Sequence, residues 1–406
     1  MTTGGESNVY RFDWRSFTGR TGTDRRHHRP VLAWMALVLI AAGCSSAAPD
    51  TEPIPTGPAV QSERPNLSFD PNSYIVYRAS GPIDIDGELE ESTWGNAPWS
   101  TPFVERDPRE RPHPQWETLM KMLWDDEKLY VAARIEDHAI WGEATERNSQ
   151  IHPENAFEIF LDPDGDTHNY LEFQVNALGT MWDLFITKPR GNGRLSTSTW
   201  NMIHFEHAIS VDGEVNNPEG KDRSWTVELA YDWDEIRPLL GNRQLPEDGD
   251  QWRVAFMRIV WDLVWEDGTY RKEIDPVTGQ PWPEYKYVWS PQVRSQHIPE
   301  TWGYLQFSER ESGNGIDSFR WHRDEEVKWA LRLLHYAQLE FHEENGRYAQ
   351  DPGDLEIDEY EIEGYEAVPQ IETTRSLYEA TLPGFETGTQ WHIRQDGLVW
   401  KSEEGS

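Results

Sequence analysis

Between Tyr74 and about Phe307 the chain breaks into short apolar runs, several of which alternate apolar and polar positions. In Ala156-Phe-Glu-Ile-Phe-Leu161, Phe157, Ile159 and Leu161 fall on one face, Glu158 and Phe160 on the other. Such a period of two is the signature of a strand. The pattern predicts further strands at 74–77, 119–124, 129–135, 170–176, 181–186, 203–209, 225–230 and 252–261. Asp125-Asp126-Glu-Lys and Asp162-Pro-Asp-Gly-Asp166 supply hairpin-type turns, because short polar side chains and glycine tolerate the turn backbone. Regular short strands without long helices between them predict a mostly β fold, an antiparallel β-sandwich. Residues 232–240 are the one short helix expected within it.

Beyond 309–317, a Gly- and Ser-containing linker, the spacing changes. Val327, Ala330, Leu331, Leu334, Ala337 and Phe341 recur at helical intervals, with Trp329, Leu333 and Tyr336 widening the apolar face. Asp324 is the expected cap and Gly346 the expected stop. Strand candidates follow, ending with 391–394, a turn at Asp396-Gly397 and 398–400, so residues 318–406 read as a small C-terminal α+β domain.

The N-terminus has a different pattern. The basic segment 25–29 precedes thirteen apolar residues, 31–43, too few to span a bilayer, which needs about 20. Ala41-Ala42-Gly43-Cys44 resembles the bacterial lipobox, with Cys44 as the lipidated residue and 1–43 as the signal peptide. Ser45 after the cysteine points by that resemblance to the outer membrane of a bacterial cell envelope. Residues 44–73, rich in proline, read as a disordered tether ahead of the sandwich at 74–308.

Composition narrows the partners. A formal net charge of −35 repels phosphate backbones, so nucleic acid is not an expected partner. With a single cysteine there is no disulfide framework, and stability must come from a core. Twenty-one tryptophans are many for a chain that is 37% hydrophobic, and an indole N–H is awkward to bury without a partner. Some of these rings are therefore expected to line a surface, where flat indole faces suit the apolar C–H faces of sugar rings. Trp141 and Trp289 sit beside loops and are the main candidates; Trp200, Trp265 and Trp282 follow.

Asp162, Asp164 and Asp166 alternate in one tight turn and could converge on calcium, which takes six to eight oxygens. Asp84 and Asp86 form a second acidic turn of the same kind. His152, His204, His207 and His297 lack an HExxH arrangement, and no cysteine supports a zinc site. Dinucleotide, phosphate-loop and Gly-x-Ser-x-Gly fingerprints are absent. Glu158 and Glu172 lie within predicted strands and could form a carboxylate pair for glycoside hydrolysis.

The order of Ile83-Asp-Ile-Asp-Gly-Glu-Leu-Glu-Glu-Ser-Thr-Trp94, Leu123-Trp-Asp-Asp-Glu-Lys-Leu-Tyr-Val-Ala-Ala133 and Asn155-Ala-Phe-Glu-Ile-Phe-Leu-Asp-Pro-Asp-Gly-Asp166 resembles carbohydrate-binding module family nine. Residues 170–179 and His297-Ile-Pro-Glu-Thr-Trp-Gly303 extend the likeness, which covers about residues 78–308. It implies a glycan-binding β-sandwich with bound calcium, and two tryptophans clamping a terminal sugar. By chain position Trp141 and Trp289 would be that clamp, with Arg134, Arg147, Glu158 and Asn176 as polar partners. The expected function is non-catalytic binding of an oligo- or polysaccharide by a lipid-anchored protein, in support of polysaccharide breakdown. Two alternatives stand beside it. One is a haem-binding redox module of the same sandwich type, ligated by Met257 with Lys286 or His297; the other is a weak glycoside hydrolase.

Overall fold

The computed structural model describes residues 71–106, 114–189, 196–197, 200–240, 244–292, 295–357 and 362–403. Cys44, the expected signal segment and all of the tether before residue 71 lie outside the described residues. Among those residues no helix is long and apolar enough to cross a membrane.

The strands, in chain order, begin with β1 (Ser73–Arg78), β2 (Val104–Glu105), β3 (Thr118–Trp124) and β4 (Lys128–Glu136). Then come β5 (Ala156–Asp162), β6 (Tyr170–Val175), β7 (Met181–Ile186), β8 (Ser196–Thr197), β9 (Phe205–Asp212) and β10 (Ser224–Asp232). The domain ends with β11 (Gln251–Val260), β12 (Leu263–Glu266), β13 (Thr269–Lys272), β14 (Tyr285–Val288) and β15 (Gly303–Glu311). Short helices α1 (Ser92–Asn96) and α2 (Trp233–Ile236) interrupt them. The helix expected at 232–240 is α2 followed by a 3-10 turn at Arg237–Leu239, because Pro238 removes an N–H that a longer helix needs.

One sheet makes both layers of the sandwich. Its order is β8-β7-β6-β5-β11-β15-β1-β3-β4-β10-β9, and it curls over at β15 and β1. The pairs on either side are antiparallel, as the pattern predicts, but β1 runs parallel to both β15 and β3. The inward positions fuse into one core: Phe157, Ile159 and Leu161 of β5 meet Val131, Ala133, Val227 and Leu229 from the opposite layer. Trp124, Trp233, Trp252 and Phe307 pack edge to face at its centre. Two smaller apolar clusters lie on the outer faces. One, under residues 75–97, includes Trp94 and Tyr130; the other, on β5, β6, β7, β11 and β14, includes Phe160, Met257 and Trp302.

The linker expected at 309–317 is tied to the sandwich. β15 runs through Glu311, and Asp317 holds Arg310 and Ser308 while Arg320 N–H donates to Gln306. The C-terminal unit follows as α3 (Asp324–Asn345) packed on a four-stranded meander, β16 (Gln370–Thr373), β17 (Tyr378–Pro383), β18 (Thr389–Arg394) and β19 (Val399–Glu403). Gly346 ends α3 at φ 67°, as expected of a C-terminal stop. Asp324 is the first helical residue instead of the cap, and its carboxylate accepts from the Phe385 N–H.

Candidate functional site

The outward positions of β5, β6, β7, β11 and β14 carry an unusual row for a sheet face. Reading across the strands, Trp182 pairs with Gln174, Gln174 with Glu158, Glu158 with Met257 and Met257 with Val288. Glu158 is fully buried, and neither of its carboxylate oxygens has a hydrogen-bond partner. Burial first, and the nearby Glu172 carboxylate second, push its pKa well above the ordinary glutamate value. The Gln174 Oε1 and the indole N–H groups of Trp182 and Trp261 are likewise buried and unpartnered. Leaving such groups without partners costs about 1–3 kcal/mol each, so their concentration on one face is unusual for a sheet.

Beside this row the surface opens into a cleft of about 760 Å³, within the range of about 300–1,000 Å³ usual for ligand sites. Trp141, Glu143, Pro153 and Glu154 form one wall; Val264, Tyr270, Arg271 and Lys272, from the β12–β13 hairpin, form the other. Asn176 braces the first wall. Its side-chain amide donates to Glu154 and to the Ala144 carbonyl, while Glu154 accepts from the Glu143 and Ala144 N–H groups. On the second wall the Lys272 ammonium lies over the Trp261 ring, 3.4 Å from its centroid. Burial lowers the Lys272 pKa against the pull of Glu284, Glu143 and Glu154. Glu284 in turn binds Lys286 at 2.6 Å, and Lys286 is the cation that most favours ionised Glu158. A line of alternating charges therefore joins the open cleft to the buried polar row.

The sequence-derived site residues divide accordingly. Trp141 lines the cleft, Asn176 braces its wall through Glu154, and Glu158 is sealed within the polar row. Trp289 does not: it is 1% exposed, set edge to face against Phe256 and filling the space left open by Gly303, so the Trp141–Trp289 clamp is replaced by a core contact. Arg134 points away on the outer face of β4, the opposite side of the sandwich, where it pairs with Glu117 and lies over Trp99. Arg147 is tied to Asp183 at 2.8 Å and to the Met202 carbonyl, outside the cleft walls. Trp265 and Trp282 are exposed on the arm around the β12–β13 hairpin, and Trp200 stacks on Phe185. The residue that composition missed is Trp261. It follows the last residue of β11, and its parity with Met257 and Ile259 sends it outward.

Glu158 and Glu172 do share the outer face, on neighbouring strands, but both are sealed, and Glu172 is held by Gln174. A hydrolytic pair needs a carboxyl group on each side of an accessible bond, which this placement does not offer. For haem ligation, Met257 is fully buried among apolar neighbours, Lys286 is engaged by Glu284 and His297 by the Tyr170 hydroxyl.

At the far end of β5, roughly 20 Å from the cleft at 3.4 Å per residue, the Asp162–Asp166 turn brings together one oxygen from each of its three aspartates within 4.8 Å of one another. Asp162 is fully buried; one of its oxygens accepts from the Thr167 N–H, and the other has no hydrogen-bond partner. Burial, then the Asp166 and Asp164 carboxylates, push Asp162 well above the ordinary aspartate value. An orphaned buried oxygen facing two more carboxylates fits a hard divalent cation such as calcium. Asp84 and Asp86 do not make a second such site. Their side chains are exposed, and the turn instead turns its Asp86 and Gly87 N–H groups onto buried Glu228, which also binds the Trp94 indole.

Residues 85–275, which include the cleft walls, β5, β6 and the acidic turn, match the family described as carbohydrate family 9 binding domain-like. Over these residues the chain is similar to that family. Comparison with curated proteins finds no match. Among solved structures, a protein from Bacteroides uniformis ATCC 8492 is 15% identical and covers 59% of this chain and 100% of its own, with a TM-score of 0.43. A family 9 carbohydrate-binding module from Caldicellulosiruptor kristjanssonii, in complex with glucose, is 18% identical over 61% of this chain and 100% of its own, at 0.35. The same organism's module with cellotriose gives 17%, 60%, 99% and 0.35. The matched residues carry β2 to β13, while β1, β14 and β15 of the sandwich and the C-terminal unit after Glu311 lie beyond them.

Proposed function

We propose that the family 9 domain binds saccharides in the cleft beside Trp261, and that the chain serves to hold a glycan for polysaccharide breakdown. The observation that carries this reading is the Trp261 indole, half-buried beneath Lys272 of the cleft wall, with that displaceable lysine on its face and unpartnered polar groups on the same sheet face. A sugar ring laid on that face would exchange a poorly solvated ammonium for C–H contacts. The released Lys272 would regain water, and the hydroxyls would meet Glu154 or Arg271 of the cleft walls. Asp162, Asp164 and Asp166 would hold calcium, whose charge would neutralise the three carboxylates and fix the turn. Lipidation at Cys44 would place the domain on the bacterial envelope, facing glycans, and an acylated N-terminal peptide in mass spectrometry would establish it.

Glycan-array screening followed by calorimetry, with xylo- and cello-oligomers and calcium present, tests the binding claim. Dissociation constants on the order of 10–100 µM, about 5.5–7 kcal/mol, are expected for stacking plus a few hydrogen bonds. Silence on the array and no heat at millimolar sugar would end the proposal.

A further inference from the structure

The acidic turn has two sides, and the C-terminal unit grips the one the carboxylates leave free. Arg332, buried on α3, donates to the Asp166 carbonyl at 3.3 Å, to Thr167 Oγ1 at 3.0 Å and to the Gly397 carbonyl. Thr167 Oγ1 also donates to the Gly397 carbonyl at 3.2 Å, and the Val399 N–H donates to the Asp166 carbonyl. Asp396, in the turn between β18 and β19, binds Lys188 at 2.7 Å beside buried His168. Lys328 Nζ stands over Gly165, 3.4 Å from where a Cβ would lie. Thr167 is at φ 76°, a left-handed conformation that a threonine adopts only when its surroundings impose it. Its N–H is held by Asp162 on one side and its hydroxyl by the C-terminal unit on the other.

We infer that the acidic turn is a shared joint: cation binding by Asp162, Asp164 and Asp166 and docking of residues 324–403 onto the sandwich stabilise one another. This rests on the calcium reading above and goes beyond it, since the docked unit lies outside the matched family domain. The coupling follows from geometry. Three carboxylate oxygens within 4.8 Å repel one another until a cation joins them. The conformation that joins them is also the one that presents the Asp166 carbonyl and the Thr167 hydroxyl to Arg332 and Gly397. A turn sprung open by repulsion loses both sets of contacts together. By linkage the effect is reciprocal, so a docked C-terminal unit raises the affinity of the turn for the cation by the same factor. Lys328 and Arg332 act as positioning residues, and neither is a ligand.

The test is hydrogen exchange on the full chain with calcium chloride against chelator, read separately over the acidic turn, α3 and β18–β19. Binding is followed in parallel by calorimetry with calcium. Calcium is expected to slow exchange about tenfold in the turn and also in α3 and β18–β19. The variant Arg332→Gln should weaken calcium binding by a similar factor of about ten, although it removes no carboxylate. If calcium binds and protects the turn alone, or if Arg332→Gln binds calcium as tightly as the parent, the joint is refuted while the calcium site stands. If no calcium binds at all, both fail. Should Arg332→Gln not fold, the exchange pattern of the unaltered chain still decides.

Discussion

Glu325, at the start of α3, is the residue whose removal should loosen the C-terminal unit most selectively. Its carboxylate is buried between Arg253 of β11 and Lys328, at 3.2 and 2.6 Å, and accepts from the Tyr304 hydroxyl at 2.6 Å. Burial alone would raise its pKa, yet Lys328 and Arg253 together outweigh burial and bring it from 4.5 to about 2. At 1.36 kcal/mol per pH unit, that displacement is worth about 3 kcal/mol of stability. Unfolded glutamate ionises near 4.5, so the contribution is complete above that pH and fades as pH falls towards 2. The substitution Glu325→Gln keeps the shape but leaves Arg253 and Lys328 facing each other without a counter-charge. Denaturant melts monitored at neutral pH should show a loss of about 3 kcal/mol in the transition of the C-terminal unit. The gap should narrow steadily below pH 4.5 and close near pH 2. A gap that is the same at pH 3 and pH 7, or smaller than about 1 kcal/mol at pH 7, would refute the reasoning.

Two further outcomes follow from burial. Trp289→Ala should cost about 3–5 kcal/mol by opening a cavity against Phe256 and Gly303, while any sample that remains folded should bind saccharide like the parent; selective loss of binding would restore Trp289 as a ligand contact. Lys121, buried on the outer face of β3 and donating to the Trp94 carbonyl at 2.6 Å, is brought down to about 8 by burial and by Arg134. Its ammonium therefore burdens the fold below pH 8 and less so as pH rises towards 10.5, and NMR of a reductively methylated sample should show one lysine titrating near 8. A lysine set with every member above 10 would contradict that environment.

Much of the sandwich was legible because alternation survives wherever one face is buried. β5, β7 and β10 stand within two residues of where apolar periodicity sets them, and the Asp162–Asp166 turn carries its chemistry in its spelling. The parallel pairing of β1 was not legible, since period-two patterns do not distinguish strand direction. Neither was the site. Trp289 lies beside a loop in sequence, but the space it fills is made by Gly303, and no local pattern announces a partner fourteen positions away. Trp261 closes an apolar run and reads as core, yet β11 ends at Val260 and the outward parity of Met257 and Ile259 continues through it. Arg134 and Glu158 both sit in strands, and only the strand order shows that they belong to opposite faces of the molecule. Glu158, Glu172 and Gln174 were a usable signal once register is known: polar residues of one parity on adjacent strands, facing where a sheet would otherwise be apolar.

The most direct measurement is a calorimetric titration of cello- and xylo-oligosaccharides into the parent and into Trp261→Ala, with folding of both checked by circular dichroism. The account predicts measurable heat for the parent and a loss of at least about tenfold in affinity, about 1.4 kcal/mol, for the variant. Equal affinity in two equally folded proteins would contradict it, and would move the saccharide away from the cleft.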